Sequence, residues 1–327
     1  MIPVSHTQIR TANDYGYHGA MDTLTSTVTV LDRPDLATVA LAGNDVLRYL
    51  HAVCTQHTLD LAPGDATQAL LLSPKGKIEF AFRLAVLDGG VLLDTEADAT
   101  PALAERLARF VFRYDVRVGR PVQGAATLLG RGADAALAAV GLPVPAAGRA
   151  GVAGPDLVAH RTPVGIDLVG PGAPAAAAGL ERAGVERAPA ERWEPVRVEH
   201  GLPGGLELTD DVLAEEAGLL GSHVHLDKGC YPGQETVARV HNLGQVQRRL
   251  AGLRFEPAGD GDDGAALPEP WTDLVTDDGR RAGQLRSVVD HPALGPIGLA
   301  YVRRVVETGR LVRAGERVAT VVDLPFL

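Results

Sequence analysis

Lysine is almost missing from this 327-residue chain. Of 31 basic residues only Lys75, Lys77 and Lys228 are lysines, and the rest are arginines. Ammonium and guanidinium are not interchangeable at a tight site, so "SPKGK" and "DKGC" stand out as the two places that keep lysine. Cysteine is as scarce. Cys54 and Cys230 lie far apart and show no scaffold spacing, which excludes a disulfide framework and leads us to expect a reduced, cytoplasmic protein. Aromatics make up only 4%, so the core must come mostly from Leu, Val and Ala. No apolar run approaches the roughly 20 residues of a membrane helix. The first 24 residues lack the basic start and apolar run of a signal peptide. Basic charge is also short. The formal net charge is −10, which works against broad binding to nucleic acid or anionic membranes.

What is present fits a folded protein of more than one domain. The apolar fraction is 46% and the charged fraction 22%, ordinary for a globular chain. The length suggests two domains. Residues 1–25 read as an irregular N-terminal segment. "TSTVTVLDRPDLATVALAG" reads as strand, turn, strand. "NDVLRYLHAVCTQ" places Val46, Leu47, Leu50, Val53 and Cys54 on one helical stripe, with Asn44 or Asp45 as cap. Cys54 is then a core residue. "TQALLLSPKGKIEFAFRLAVLDGGVLLDTE" reads as three strands joined by "SPKGK" and "DGG". "TPALAERLARFVFRYD" reads as a helix with Thr100 as cap, Pro101 first, and Leu103, Leu107, Phe110 and Val111 inward. "VRVG" follows as a strand.

From 121 to about 195 a similar order recurs: strand and helix in "ATLLGRGADAALAAVGLPV", hairpin in "DLVAHRTPVGIDLVGP", helix and strand in "APAAAAGLERAGVERAP". "WEPVRVEHG" reads as a strand on which Arg197 and Glu199 alternate. "DDVLAEEAGLL" reads as a helix capped by Thr209. Beyond Arg248, short alternating strands divided by Gly, Pro and Asp indicate a small β-barrel, with "AGDGDDGAALPEP" as a surface loop. The fold class is therefore α+β: two lobes over residues 26–245 and a C-terminal β-barrel over 246–327.

Three stretches carry candidate chemistry. "HLDKGCYPGQETVARVH" places Cys230 before a helix start that Pro232 suits. A free helix N-terminus and the Lys228 ammonium both favour a thiolate. The alternative is a buried thiol in a structural turn. A mixed metal set of His223, His225, Cys230 and His241 would need His223 and His225 on one strand face. The spacing matches no strong zinc pattern, so no metal is expected. In "WEPVRVEHGLPGG", Glu199 has the chemistry to accept two bonds from an N–C–N edge, with Arg197 orienting it, although a surface ion pair gives the same pattern. In "SPKGK", Lys75 and Lys77 flank a turn that suits an anionic group, without phosphate-loop spacing.

"LLLSPKGKIEFAFRL", the stretch from "WEPVRVEHG" through "KGCYPGQE" to "QRRL", and "AGQLRSVVDHPALGPIGLAYVRR" together resemble the YgfZ family of folate-binding proteins. That family is related to the T-protein of the glycine cleavage system, an aminomethyltransferase. The ordered signature is Lys228, Gly229, Cys230, Tyr231, Pro232, Gly233, Gln234 and Glu235. The resemblance implies an aminomethyltransferase-like fold that binds tetrahydrofolate, or a one-carbon derivative of it, in a central cavity. It also implies a role in assembly or repair of iron–sulfur enzymes, including radical enzymes that modify tRNA. On that resemblance Glu199 meets the pterin. Arg197, which could neutralise an acidic tail or orient Glu199, and Gln234, Lys75 and Lys77 are the further candidates for the folate site, with Gln234 also orienting Cys230. Cys230 and Lys228 are the reactive pair, with Lys228 lowering the thiol pKa.

The expected partners are tetrahydrofolate and, transiently, iron–sulfur client or carrier proteins. A monomer without direct nucleic-acid or membrane contact is expected. The residues leave open whether the protein is an enzyme. The T-protein's Asp pair is replaced by Glu79 and Phe80, which disfavours the alternative of a small-molecule aminomethyltransferase or demethylase. Its "R-T-G-Y-T-G-E" stretch is represented only by "RTPVGIDL", Arg161 to Leu168.

Overall fold

A computed structural model describes residues 27–244, 246–257 and 266–326. The expected irregular segment at 1–25 and most of the loop at 258–270 lie outside the described residues.

The turn at Arg33–Asp35 separates two strands that enter different sheets. Thr29–Asp32 joins a six-stranded sheet, pairing antiparallel with Ala125–Leu129. That strand in turn pairs with Gly165–Val169, which forms a hairpin with Val158–Thr162. Leu36–Ala42 joins a second sheet with Gly90–Glu96, Ile78–Leu87 and Ala66–Leu72. Each sheet is covered on one face by two helices. Val46–Val53 and Thr100–Ala108 bury Val46, Tyr49, Leu50, Leu103 and Leu107 on the second sheet. Ala133–Ala139 and Ala173–Arg182 bury Ala133, Leu137, Ala177 and Leu180 on the first. Leu36, Ala85 and Leu92 from the second sheet meet Ala125, Val158 and Val169 from the first, so the uncovered faces pack on each other.

The strands Arg248–Phe255, Gly295–Arg303, Arg281–His291, Asp273–Val275, Leu311–Ala314 and Arg317–Val322 close into a barrel. The α+β class with a C-terminal barrel is as expected from the sequence. Among the described residues no helix is long and apolar enough to cross a membrane.

Four local expectations need correction. Trp193–Glu199 is a helix, not a strand. Pro195 is tolerated in its first turn, and Val196, Arg197, Val198 and Glu199 are all buried. Burial on every side mimics the alternation of a strand. "DDVLAEEAGLL" forms turns, because Ile78 N–H donates to Val212 O and Leu213 bridges Lys77. Only Leu220–His223 is helical. Thr100 lies inside its helix, with its hydroxyl on Glu96 O. Phe110 points outward at 43% exposure.

Candidate functional site

The signature loop is fixed by backbone contacts that only glycine permits. Gly233 precedes the helix Gln234–Leu243 with φ +83°. A Cβ there would stand 2.6 Å from Ser73 O and 3.0 Å from Gly76 Cα. At Gly76 (φ +76°) a Cβ would lie 2.6 Å from Thr236 Cβ. The two lysine-bearing stretches therefore pack main chain to main chain. Gln234 accepts a hydrogen bond from Tyr231 N–H at 3.1 Å, closing the turn through Pro232. This places a structural demand on Gln234 besides the expected one.

Lys228 turns inward and Cys230 outward: Lys228 is buried at 9% exposure, whereas Cys230 is exposed. The ammonium donates to Cys54 O at 2.6 Å and to His51 O. Those carbonyls close the helix Val46–Val53, where free oxygens and the helix dipole favour a cation. Its Nζ also lies 4.8 Å from the Tyr231 ring centroid. Burial pulls the Lys228 pKa below its ordinary value. The expected ammonium–thiolate pair with Cys230 is thus replaced by a helix cap beside Cys54. Burial pushes the Cys54 thiol up, as suits an inert core cysteine.

Three imidazoles surround this loop. His51 and His57 pack edge to face at 4.8 Å, and His57 lies 5.4 Å from His225. His51 is driven towards neutrality by desolvation, then by Lys228 and His57. His223 ends a helix, so it shares no strand face with His225. Among the described residues no group of three or more His, Cys, Asp and Glu is arranged to hold a metal ion. Lys75 is exposed. Lys77 donates to Asp211 O at 2.9 Å.

Arg197 and Glu199 belong to a different place, under the barrel. Arg197 donates to Glu207 at 2.9 Å, to Ser287 Oγ at 2.8 Å and to Glu194. Ser287 Oγ donates to Glu207 at 2.6 Å. Glu199 is 3% exposed, with a carboxylate oxygen 3.3 Å from His291 Nε2 and its carbonyl accepting from Phe326 N–H. These bonds lock the helix onto the barrel. The residues expected to share one ligand are therefore divided between two locations.

Sequence reasoning missed the ionic cluster between the sheets. Arg83 lies opposite Asp94 in one sheet, and Asp167 lies between Thr127 and His160 in the other. Arg83 binds Asp94 and reaches Asp167 at 2.6 Å, while His160 Nε2 lies 3.1 Å from Asp94. Arg33 donates to Thr127 Oγ1 at 3.0 Å and stacks on the Trp193 ring at 3.7 Å. Burial raises the Asp94 carboxyl, but Arg83 and His160 outweigh it and hold it at about 2. The half-buried His223 is lowered to about 4, by desolvation and then by Arg83. Glu96 shares the face of Asp94, two residues along the strand. It is half-buried, and desolvation raises its pKa. The available signal was a charge set into an apolar run of each strand: Arg83 in "FRLAV", Asp94 in "VLLD", Asp167 in "GIDLV".

Glu79 is held by Arg106 at 3.0 Å, and Phe80 packs against the helix-covered core.

No family model matches the sequence. A chloroplastic protein of Arabidopsis thaliana, named as a candidate transferase, is 34% identical over 139 residues. That alignment covers 41% of this chain and 30% of the relative. A mitochondrial iron–sulfur cluster assembly factor, the IBA57 homolog of Phaeosphaeria nodorum, is 31% identical over 153 residues, covering 39% and 36%. The aligned stretches thus span about a third of these relatives. Among solved structures, the glycine cleavage system aminomethyltransferase T of Bartonella henselae superposes with a TM-score of 0.79 at 21% identity, covering 93% of this chain and 87% of that one. The fold is that of this aminomethyltransferase.

Proposed function

We propose that this is a cytoplasmic, tetrahydrofolate-binding protein of the YgfZ type. On this reading it supports assembly or repair of iron–sulfur enzymes, tRNA-modifying radical enzymes among them, through the thiol of Cys230. The observation that carries the reading is the presentation of that thiol. Cys230 is exposed, while its neighbours are spent on structure: Lys228 on a helix end, Gln234 on Tyr231, Gly233 on the facing turn. A held, accessible sulfur suits a transient ligand for iron or for sulfur in transit. One cysteine cannot hold a cluster alone, so the remaining ligands would come from the client or carrier. The similarity to an assembly factor supports the same assignment.

The folate part is supported by the fold. Glu199, Arg197, Gln234, Lys75 and Lys77 do not fit one folate site as a set, since they lie in two places and Glu199 is buried against His291. The polar groups that keep access near the inner sheet face are Glu96, Arg83 and His223, and we assign the folate to these. No chemical step is assigned to it. The aminomethyltransferase alternative finds no free carboxylate at the two positions expected to replace the T-protein's Asp pair, because Glu79 is paired and Phe80 is apolar.

Two measurements test the two parts separately. Calorimetric titration with tetrahydrofolate should show binding that Glu96→Gln weakens by about tenfold or more, with a smaller effect from Glu199→Gln. Absence of binding by the unmodified protein ends the folate part. A strain lacking the protein should regain iron–sulfur enzyme activity with the unmodified gene and not with Cys230→Ala. Full rescue by that variant ends the thiol part.

A further inference from the structure

The lobe built on the sheet of Leu36–Ala42 carries a surface that neither the thiol nor the folate accounts for. Residues 105–120 hold Arg106, Arg109, Arg113, Arg117 and Arg120 against only Glu105 and Asp115, in a chain whose net charge is −10. The same stretch exposes two aromatic rings, Phe112 at 77% and Phe110 at 43%. Arginines lie over them: the Arg106 guanidinium is 4.5 Å from the Phe110 ring centroid, and that of Arg113 is 5.3 Å from Phe112. Burying apolar surface is favourable, and each ring forgoes that here.

The segment is not a loose end. Leu103 and Leu107 are buried beneath it. Tyr49 OH donates to Leu107 O at 2.6 Å, and Tyr114 packs edge-on against Tyr49 at 5.3 Å. The short 3-10 turn Val111–Arg113 is therefore mounted on a fixed base, with Val111 packed against the core and Phe112 outward.

We infer that this face docks an acidic protein segment bearing an apolar anchor. Arg and aromatic side chains together are the commonest makers of interface hot spots. Arg106 is already paired with Glu79 and Arg117 with Asp115, so the guanidinium positioned to take a partner's carboxylate is that of Arg113 over Phe112, flanked by Arg109. Charge argues for protein over RNA. A polyanion cannot turn its phosphates away from a body of charge −10. A protein partner can present one acidic face to this local basic patch and keep its other charges distant. The inference does not rest on the folate or the Cys230 reading.

Fluorescence anisotropy on the full chain tests it. The probes are a labelled peptide of alternating Glu and Leu, its Lys/Leu twin and a uridine oligonucleotide of equal length. The Glu/Leu peptide should bind about tenfold or more tighter than either control, and should weaken as salt rises. Phe112→Ala and the double variant Arg109→Glu/Arg113→Glu should each weaken it about tenfold. Both should unfold within a few degrees of the parent, because these side chains are exposed. Binding that neither variant alters, an oligonucleotide that binds as tightly, or no binding of the acidic peptide overturns the inference. So does a dimer in sedimentation that Phe112→Ala dissolves, since a second copy would then be the occupant.

Discussion

Between the sheets, Arg83 stands 2.6 Å from Asp167 and binds Asp94 as well; at the signature loop, Lys228 faces main-chain carbonyls and Cys230 faces solvent. The first region uses charge to fix the distance between two layers. Its partners come from two hairpins far apart in sequence, Arg83 and Asp94 on one, His160 and Asp167 on the other, and the carboxylates lie almost wholly within the protein. The second uses charge and glycine to fix one loop, leaving the Cys230 side chain exposed. Buried ion pairs add less net stability than their short distances suggest, because desolvation opposes them. Their deletion is costly for the same reason.

The largest expected effect therefore lies between the sheets. Arg83→Met should destabilise the protein by about 3 kcal/mol, since it removes the cation shared by two buried carboxylates and leaves Asp94 with only His160 and Asp167 with Thr127 and the more distant Arg33. Urea unfolding measures this. A loss below about 1 kcal/mol would mean that water replaces the guanidinium, and the contrast between the two regions would fail.

Acid should find the same region next. His223 is lowered from 6.5 to about 4, so the unfolded chain binds a proton that the folded one refuses between those values. Stability contributed by the neutral imidazole is complete above about pH 6.5 and is lost as pH falls towards 4, by up to about 3 kcal/mol at about 1.4 kcal/mol per unit. His223→Gln should flatten that part of the profile. Asp94, held at about 2, contributes stability that is present above about pH 4 and lost as pH falls through 2. Chemical denaturation at stepped pH separates the two windows.

Strands and turns were legible where one face is apolar and Gly or Pro ends the run. The hairpin around "SPKGK", the helix after Pro101 and the barrel strands all follow such local rules. Side-chain destinations were not legible. Arg83 in "FRLAV" reads as one charge in a strand, and its partner Asp167 is set by how two sheets stack, which no local period encodes. Arg197 and Glu199 failed for another reason. A short helix buried on all sides looks like a strand, and its charges look exposed when they in fact pin the barrel. The loop around Cys230 stood out by its lysine and glycines, yet the inward turn of Lys228 depends on the end of a helix some 175 residues earlier.

The loop region sharpens the contrast at smaller cost. Gly233→Ala sets a Cβ against Ser73 O at a positive φ, and should cost about 2 kcal/mol by strain and displacement of the facing turn. Lys228→Met keeps the aliphatic stem and removes the cap on the helix Val46–Val53, for about 1–2 kcal/mol. Lys228→Arg should not restore it fully, because a planar fork cannot reproduce a compact ammonium between the carbonyls of His51 and Cys54. Full recovery in thermal melts would show that charge alone is at work there.

Cys230→Ser should change stability least, within about 0.5 kcal/mol, because the side chain is exposed and anchors nothing. The same change should leave thiol labelling of the native protein near zero, since Cys54 is fully buried and its thiol is pushed up. The parent should label once, at Cys230, under the same conditions, and a second time only on unfolding. If Cys230→Ser instead lowered the melting midpoint by as much as Lys228→Met, the thiol would be a structural member of the loop. The division between a region built to hold and one built to present would then no longer stand.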